Sequence, residues 1–202
     1  MHMADEETIL AAATRHLNRD PGASMADLAK AIGISRATLH RHFATRETLL
    51  HHIAERALDR WERVQDEAEI DDAAASGDPA RVAASLRALL RGFLPLIDEH
   101  GFALTVHLVA AYLAADVSAL EERSERLEER EIALYAAAQR AGVLRADLPA
   151  RWVSDALFGL LIGLRDGLAR GDVAPRDIER LLFTTFFDGV GPQAAPGSEA
   201  TS

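Results

Sequence analysis

The residues with the most evident chemistry lie between 24 and 46, in SMADLAKAIGISRATLHRHFATR, where Lys30, Arg36, Arg41 and Arg46 stand against one acid, Asp27. Arginine presents a planar fork of donors that fits a guanine edge or a phosphate. Ser35 and Thr45, each at the expected start of a helix, leave backbone amides that can meet phosphate oxygens. A basic island of this kind in a chain of net charge −10 points to a polyanion, and to double-stranded DNA in particular. Residues 1–56 hold seven Asp or Glu and seven Lys or Arg, so the whole of the −10 falls after residue 56. Six of the eight histidines also lie in that first segment, which therefore gains positive charge in mild acid.

The elements that must position these side chains are helices. Apolar residues recur at helical spacing almost throughout and no stretch alternates like a strand, which predicts an all-α fold of about nine helices. The first is expected at roughly 5–18, the second from a Ser24 cap with Asp27 in the capping-box position, and Gly33 breaks it. Ser35 caps a third and Thr45 a fourth, which begins at about 46, can run to about 69 and links two domains. DDAAASG (71–77) reads as a loop, and Asp78-Pro79 opens a fifth helix ending near Gly101. The uncharged run GFALTVHLVAAYLAA (101–115) is a sixth, SALE (118–121) opens a seventh that stops at Gly142, and two more span about 149–170 and 175–189. The expected division is a helix-turn-helix domain at 1–50, a larger helical domain at 51–190, and a disordered tail at 191–202.

The second and third helices are separated by so short a turn that they must cross steeply. Leu28 and Ile32 share a face of one, Leu39 and Phe43 a face of the other, and the small Ala29 lets the backbones approach. Burying Leu39 and Phe43 turns Arg36, Ala37, His40 and Arg41 outward at about 100° per residue. That face suits the major groove, where arginine reads guanine and an alanine methyl touches a thymine methyl. Arg46 adds a charge for phosphate at the start of the fourth helix.

IGISRATLHRHFATRETLL, with ILAAATRHL upstream, resembles the DNA-binding domain of the tetracycline-repressor (TetR) family of bacterial transcriptional regulators. The succession of later helices and AGVLRADLP are similar more weakly. The resemblance makes residues 35–43 the recognition helix, with Arg36, Ala37, Thr38 and His40 near bases or phosphates, and sets Arg46 where the family usually has a phosphate-contacting lysine. It departs at His40, where tyrosine is common, and in the acidic arm MHMADEET, which argues against minor-groove reading. It implies a dimer on near-palindromic operator DNA, repressing transcription until a small-molecule effector releases it, in the bacterial cytoplasm and nucleoid.

In the larger domain Thr105 and Tyr112 share one face of the sixth helix, while His100 and His107 share another, and only one pair can face a given pocket. Trp61, Phe93, Phe102 and Tyr135 are aromatic candidates for the same effector site, although ordinary core packing suits each of them as well. Gly159, Gly163 and Gly167 make a smooth stripe, and LLFTTFF (181–187) offers more apolar surface than one protomer needs. The expected dimer interface is Phe158, Gly159, Ile162, Gly163, Gly167, Leu182, Phe183 and Phe186, which the resemblance casts as a four-helix contact.

Other functions find less support. The chain has no cysteine, hence no disulfide framework or thiolate metal site, and the histidine pairs His51/His52 and His40/His42 diverge on their helices. EERSERLEERE (121–131) reads as a solvated face, with pairs such as Glu122 and Arg126, and no catalytic constellation, metal site or cofactor is expected. Nothing near MHMADEETIL looks like a signal peptide, and the 101–115 run is too short to span a bilayer, so no membrane partner is expected. The alternative function is a ligand or protein adaptor that keeps this fold without binding DNA.

Overall fold

A computed structural model describes residues 5–97 and 118–191. The expected helix at 101–115, with its candidates Phe102, Thr105, His107 and Tyr112, and the tail from 192 lie outside the described residues. Among those described, all regular structure is helical.

Capping chemistry sets the helix starts. Asp5 accepts from the Thr8 amide at 2.8 Å and opens α1 (Glu6–Leu17). Ser24 and Asp27 form the reciprocal capping box of α2 (Met25–Ile32), and the bonds from Ser24 hold the Asp27 acid below the usual carboxylate range. Gly33 ends α2 at φ +81°, a left-handed conformation that disfavours any side chain by about 1–2 kcal/mol. Ser35 then accepts from the Thr38 amide at 3.0 Å to open α3 (Arg36–His42), and Thr45 accepts from the Thr48 amide at 3.1 Å to open α4 (Arg46–Glu67).

Beyond α4 the chain forms α5 (Ile70–Ser76), α6 (Pro79–Phe93), a 3-10 turn (Leu94–Leu96), α7 (Ser118–Arg140), α8 (Ala150–Arg170), a second 3-10 turn (Pro175–Asp177) and α9 (Ile178–Val190). Two expectations are corrected. DDAAASG is helix rather than loop, because Ile70 and Ala73 are buried three apart and Arg130 of α7 binds Asp71 at 2.8 Å. The fifth expected helix stops well before Gly101: Pro95 has no amide to continue the ladder, so the last turn tightens to 3-10.

The chain divides into two compact units, one from Met1–Val64 and Pro95–Leu127, the other from Gln65–Leu94 and Glu128–Ser202. In the first, Ile9, Leu17, Leu28, Leu39, Phe43 and Ile53 are buried together, with Ile32, Ile34 and Trp61 packed against them. Arg56, itself buried, donates to both oxygens of Glu7, tying α4 to α1 and holding the Glu7 acid below its usual range. In the second, α8 packs on α9, and Val153, Leu157 and Leu161 of α8 and Leu182, Phe186 and Val190 of α9 are buried. Arg87 and Arg91 of α6 lie over the Phe187 and Phe183 rings at 4.7 and 5.1 Å.

The segment EERSERLEERE is only partly a solvated face. In the first unit Arg123 binds Asp59 at 2.7 Å and Glu62; in the second Arg130 binds Asp66 at 2.7 Å and Asp71. Its basic residues on that side fasten α7 to α4 and α5, so the arginines are ordered by carboxylates of other helices.

Phe43→Ala removes the largest ring from the α1–α4 core and is expected to lower the stability of the first unit by about 3–5 kcal/mol. Urea unfolding followed by far-ultraviolet circular dichroism measures it; a loss below about 1 kcal/mol would show that the ring is not part of a close-packed core.

Candidate nucleic-acid interface

The rotation of α3 is fixed by two side chains. Leu39 and Phe43 stand four apart and are 0 % exposed, in contact with α2 and the rest of the first unit's core. His52 lies edge-on to the Phe43 ring at 5.4 Å, closing the core on the α4 side. With that side committed inward, Arg36, Ala37, His40 and Arg41 are all exposed on the other. Thr38 is half-buried, its hydroxyl 2.8 Å from that of Ser35. An α-helix is about 10–12 Å across with its side chains, and a major groove about 12 Å wide receives such an element readily.

The two helix starts differ electrically. At α3 the first turn contains no acid, so no carboxylate there opposes an anion near its amides. At α4 Glu47 sits in the first turn, its acid held below the usual range by its own backbone amide and the Thr45 hydroxyl. That fixed negative charge competes with phosphate at Thr45, which makes the Ser35 end the better anion site.

Arg46 has a role that sequence reasoning missed. Its Nε donates to the Ala23 carbonyl at 3.1 Å and its Nη2 to the Pro21 carbonyl at 2.6 Å. The guanidinium thereby ties the start of α4 to the turn that leads into α2, and α3 is held between them. A lysine in this place carries the charge but not the fork.

Residues 9–53 match the family model described as bacterial regulatory proteins, tetR family. The match covers the N-terminal helices, so this part of the chain resembles the DNA-binding region of that family. It is 29 % identical over 194 residues to the HTH-type transcriptional regulator NfxB of Pseudomonas aeruginosa, covering 94 % of this chain and 96 % of that one. Among solved structures it is similar to AibR in complex with isovaleryl coenzyme A and operator DNA, with a TM-score of 0.68 at 20 % identity over 93 % of this chain and 98 % of that one. It is also similar to the TetR-like regulator LfrR of Mycobacterium smegmatis in complex with proflavine, with a TM-score of 0.59 at 24 % identity over 91 % and 94 %. The protein is a DNA-binding transcriptional regulator, and no described helix is long and apolar enough to cross a membrane.

Of the described candidates for an effector site, Phe93 and Tyr135 are core residues and Trp61 is half-buried at the edge of an apolar cluster. Trp61 belongs to the first unit and packs against its apolar cluster. Phe93 and Tyr135 are buried in the second. The Tyr135 hydroxyl donates to Glu131 at 2.9 Å, and Gln65 of α4 donates to the same carboxylate at 3.0 Å, so a buried polar network joins α4 to α7. Burial first, and then the Glu131 charge, push the Tyr135 phenol well above its ordinary range. The sequence held a signal for this network: Leu127, Glu131, Leu134 and Ala138 follow a helical stripe in which Glu131 replaces an apolar residue. A separate pocket of about 220 Å³, lined in part by Ala68, Ala73, Arg81 and Ser85, contains none of the candidates and is smaller than most small-molecule sites. Among the described residues no group of three or more His, Asp or Glu is placed to hold a metal ion.

The expected dimer residues separate into two sets. Leu182 and Phe186 are buried inside the second unit, and a Cβ on Gly167 would meet Val173 at 2.7 Å, so these three serve the protomer's own packing. Gly159 and Gly163 are exposed and open, and Phe158, Ile162 and Phe183 are half-buried. Trp152, 57 % exposed, stands on the face of α8 that carries both open glycines, seven and eleven residues before them.

Two outcomes follow from Arg46 and Tyr135. Arg46→Lys keeps the charge but loses the two-carbonyl bridge, and thermal or urea unfolding is expected to register a loss of about 1–2 kcal/mol; unchanged stability would leave phosphate contact as its whole role. Because the folded protein holds the Tyr135 proton more tightly than the unfolded chain does, stability should fall as pH rises past about 10, where unfolded tyrosine ionises. Tyr135→Phe should lack that part of the alkaline decline, and identical pH profiles for the two proteins would contradict the buried phenol.

Proposed function

We propose that the protein is a ligand-responsive repressor that binds a near-palindromic operator as a homodimer through α3 and is released by a small-molecule effector. The observation that carries this reading is the rotation of α3, which buries Leu39 and Phe43 and leaves Arg36, Ala37, His40 and Arg41 outward. Arg36 and Ala37 read base edges; Ser35, Thr38, Arg41, Thr45 and Arg46 meet or organise contacts to phosphate. Residues 1–50 act as the DNA-binding domain and 51–190 as the effector and dimer domain, in the cytoplasm and without enzymatic activity.

α4 is the element suited to couple effector to DNA. It is 22 residues long, about 33 Å at 1.5 Å per residue, and contributes to both units. Arg46 at its start is bound to the α1–α2 turn, while Gln65 near its end is bound to Glu131. An effector that prefers a displaced α4 changes the spacing of the two recognition helices, which then no longer enter successive major grooves together. That AibR is described with both isovaleryl coenzyme A and operator DNA, and LfrR with proflavine, supports an effector for this chain as well.

Gel shifts with fragments selected from random DNA test the DNA-binding function, and a chain that shifts none of them would favour the adaptor alternative. Once an effector is found, linkage requires that operator weaken effector binding by the factor by which effector weakens operator binding, a coupling of about 1–3 kcal/mol. Ligand affinity unchanged by saturating operator would exclude release through α4. The dimer has its own test at Gly163, where added atoms meet nothing in the protomer. Gly163→Leu should leave the protomer folded, halve the mass seen by light scattering and abolish tight operator binding; an unchanged dimer mass would place the interface elsewhere.

A further inference from the structure

One contact on the outward face of α3 joins two exposed side chains. Arg36 Nε donates to His40 Nε2 at 3.4 Å, one helical turn away, and His40 Nδ1 lies 3.2 Å from the Ala44 carbonyl. A carbonyl only accepts, so Nδ1 carries the hydrogen; Nε2, receiving the Arg36 hydrogen, must offer a lone pair. The two contacts together require the neutral ring in one tautomer. The ring is braced by the turn after α3 on one side and holds the guanidinium on the other.

We infer that His40 is the positioning residue for base reading by Arg36: it accepts the Nε hydrogen and leaves the two terminal amino groups of the guanidinium as a fork directed at the operator. The inference rests on DNA binding through α3 and goes beyond it by assigning the specificity of that helix to a coupled pair. A loose arginine at an exposed first helical position reaches a phosphate as easily as a base edge, whereas one already held loses less freedom on meeting a guanine. A second proton on Nε2 removes the acceptor and sets two cations side by side. Arg36 is then released, preference at its base pair falls, and the added charge strengthens attraction to any phosphate. Protonation of His40 thus exchanges sequence preference for general affinity.

The surrounding ionisable groups do not supply a competing partner. On α3 the neighbours are Arg41, which is exposed, and His42, half-buried beside the Phe43 ring at 6.2 Å. On α2, which packs against α3, Asp27 is committed to Ser24 and Lys30 is exposed. At the start of α4 Glu47 is engaged with its own amide and Thr45, and Arg46 with Pro21 and Ala23. No carboxylate among the described residues forms an ion pair with His40.

The test measures the full chain on a selected operator and on the same operator altered at the base pair whose preference Arg36→Ala relaxes, in neutral and in mildly acidic buffer. For the natural protein the ratio of the two affinities should be about tenfold or more at neutral pH and shrink severalfold in acid, while affinity for unrelated DNA rises. His40→Gln, whose amide oxygen accepts from Arg36 and does not titrate, should keep the ratio at both pH values. His40→Ala should lose it at both while its far-ultraviolet circular dichroism shows the chain still folded. The inference is overturned if His40→Ala keeps the full ratio at neutral pH, or if the natural protein and His40→Gln lose it equally in acid. It is overturned also if Arg36→Ala relaxes no base pair, an outcome that removes base reading by Arg36 while leaving DNA binding intact; failure to shift any selected fragment would instead remove DNA binding itself.

Discussion

The burial of Leu39 and Phe43 is the constraint on which the DNA-facing surface depends. A helix of seven residues has too few internal hydrogen bonds to be stable alone, so α3 exists because these two side chains bury into the core formed with α1, α2 and α4. Because Leu39 lies within this short helix and Phe43 caps its end, their burial fixes its rotation as well as its position. Arg36, Ala37, His40 and Arg41 face outward as a geometric consequence. The polar face of an amphipathic helix is here the proposed DNA-reading face, and the apolar one sets its aim.

Around that core, polar side chains fix the boundaries. Gly33 lets the chain reverse between α2 and α3, Ser35 and Thr45 begin the next two helices, and Arg46 reaches back to the carbonyls of Pro21 and Ala23. The bridge at Arg46 closes a ring of contacts through α2, α3 and the start of α4. The far end of α4 is fastened differently, by Gln65 to a buried carboxylate and by Asp66 to Arg130. One continuous helix is therefore held by a surface-facing guanidinium bridge at its start and by a buried polar network at its end. Displacing it at the buried end transmits motion along a stiff element, which is the physical content of the proposed coupling.

The DNA-binding half was legible in the sequence because its determinants are local. Caps, the left-handed glycine and the spacing of Leu39 and Phe43 all act within a few residues, and each is where the sequence places it. The determinants that escaped are distant or carry no side-chain signature. Arg46 binds backbone carbonyls more than twenty residues upstream, and Gln65 finds Glu131 on another helix. α5 looked like a loop because its few apolar residues are stabilised by contacts beyond the segment, Arg130 to Asp71 among them. Leu182 and Phe186 share an apolar face with residues on the surface of α9, and periodicity reports that a face is covered without reporting whether the protomer or its partner covers it. Gly167 joined the glycine stripe by spacing alone, and only Val173 distinguishes it from the open Gly159 and Gly163.

The absence of cysteine from the sequence permits a direct test of the aim of α3. A single cysteine at Ala37, on the exposed face, can carry a tethered iron chelate that cleaves nearby DNA, with a second protein labelled at the exposed Ala133 of α7 as control. Bound to the selected operator, the label at position 37 is predicted to cut within each half-site, and the label at 133 is predicted to leave both half-sites intact. Protection of both half-sites from the position-37 label in a fully bound complex, or equal cutting from the two positions, would contradict the claim that core burial of Leu39 and Phe43 turns this face to DNA.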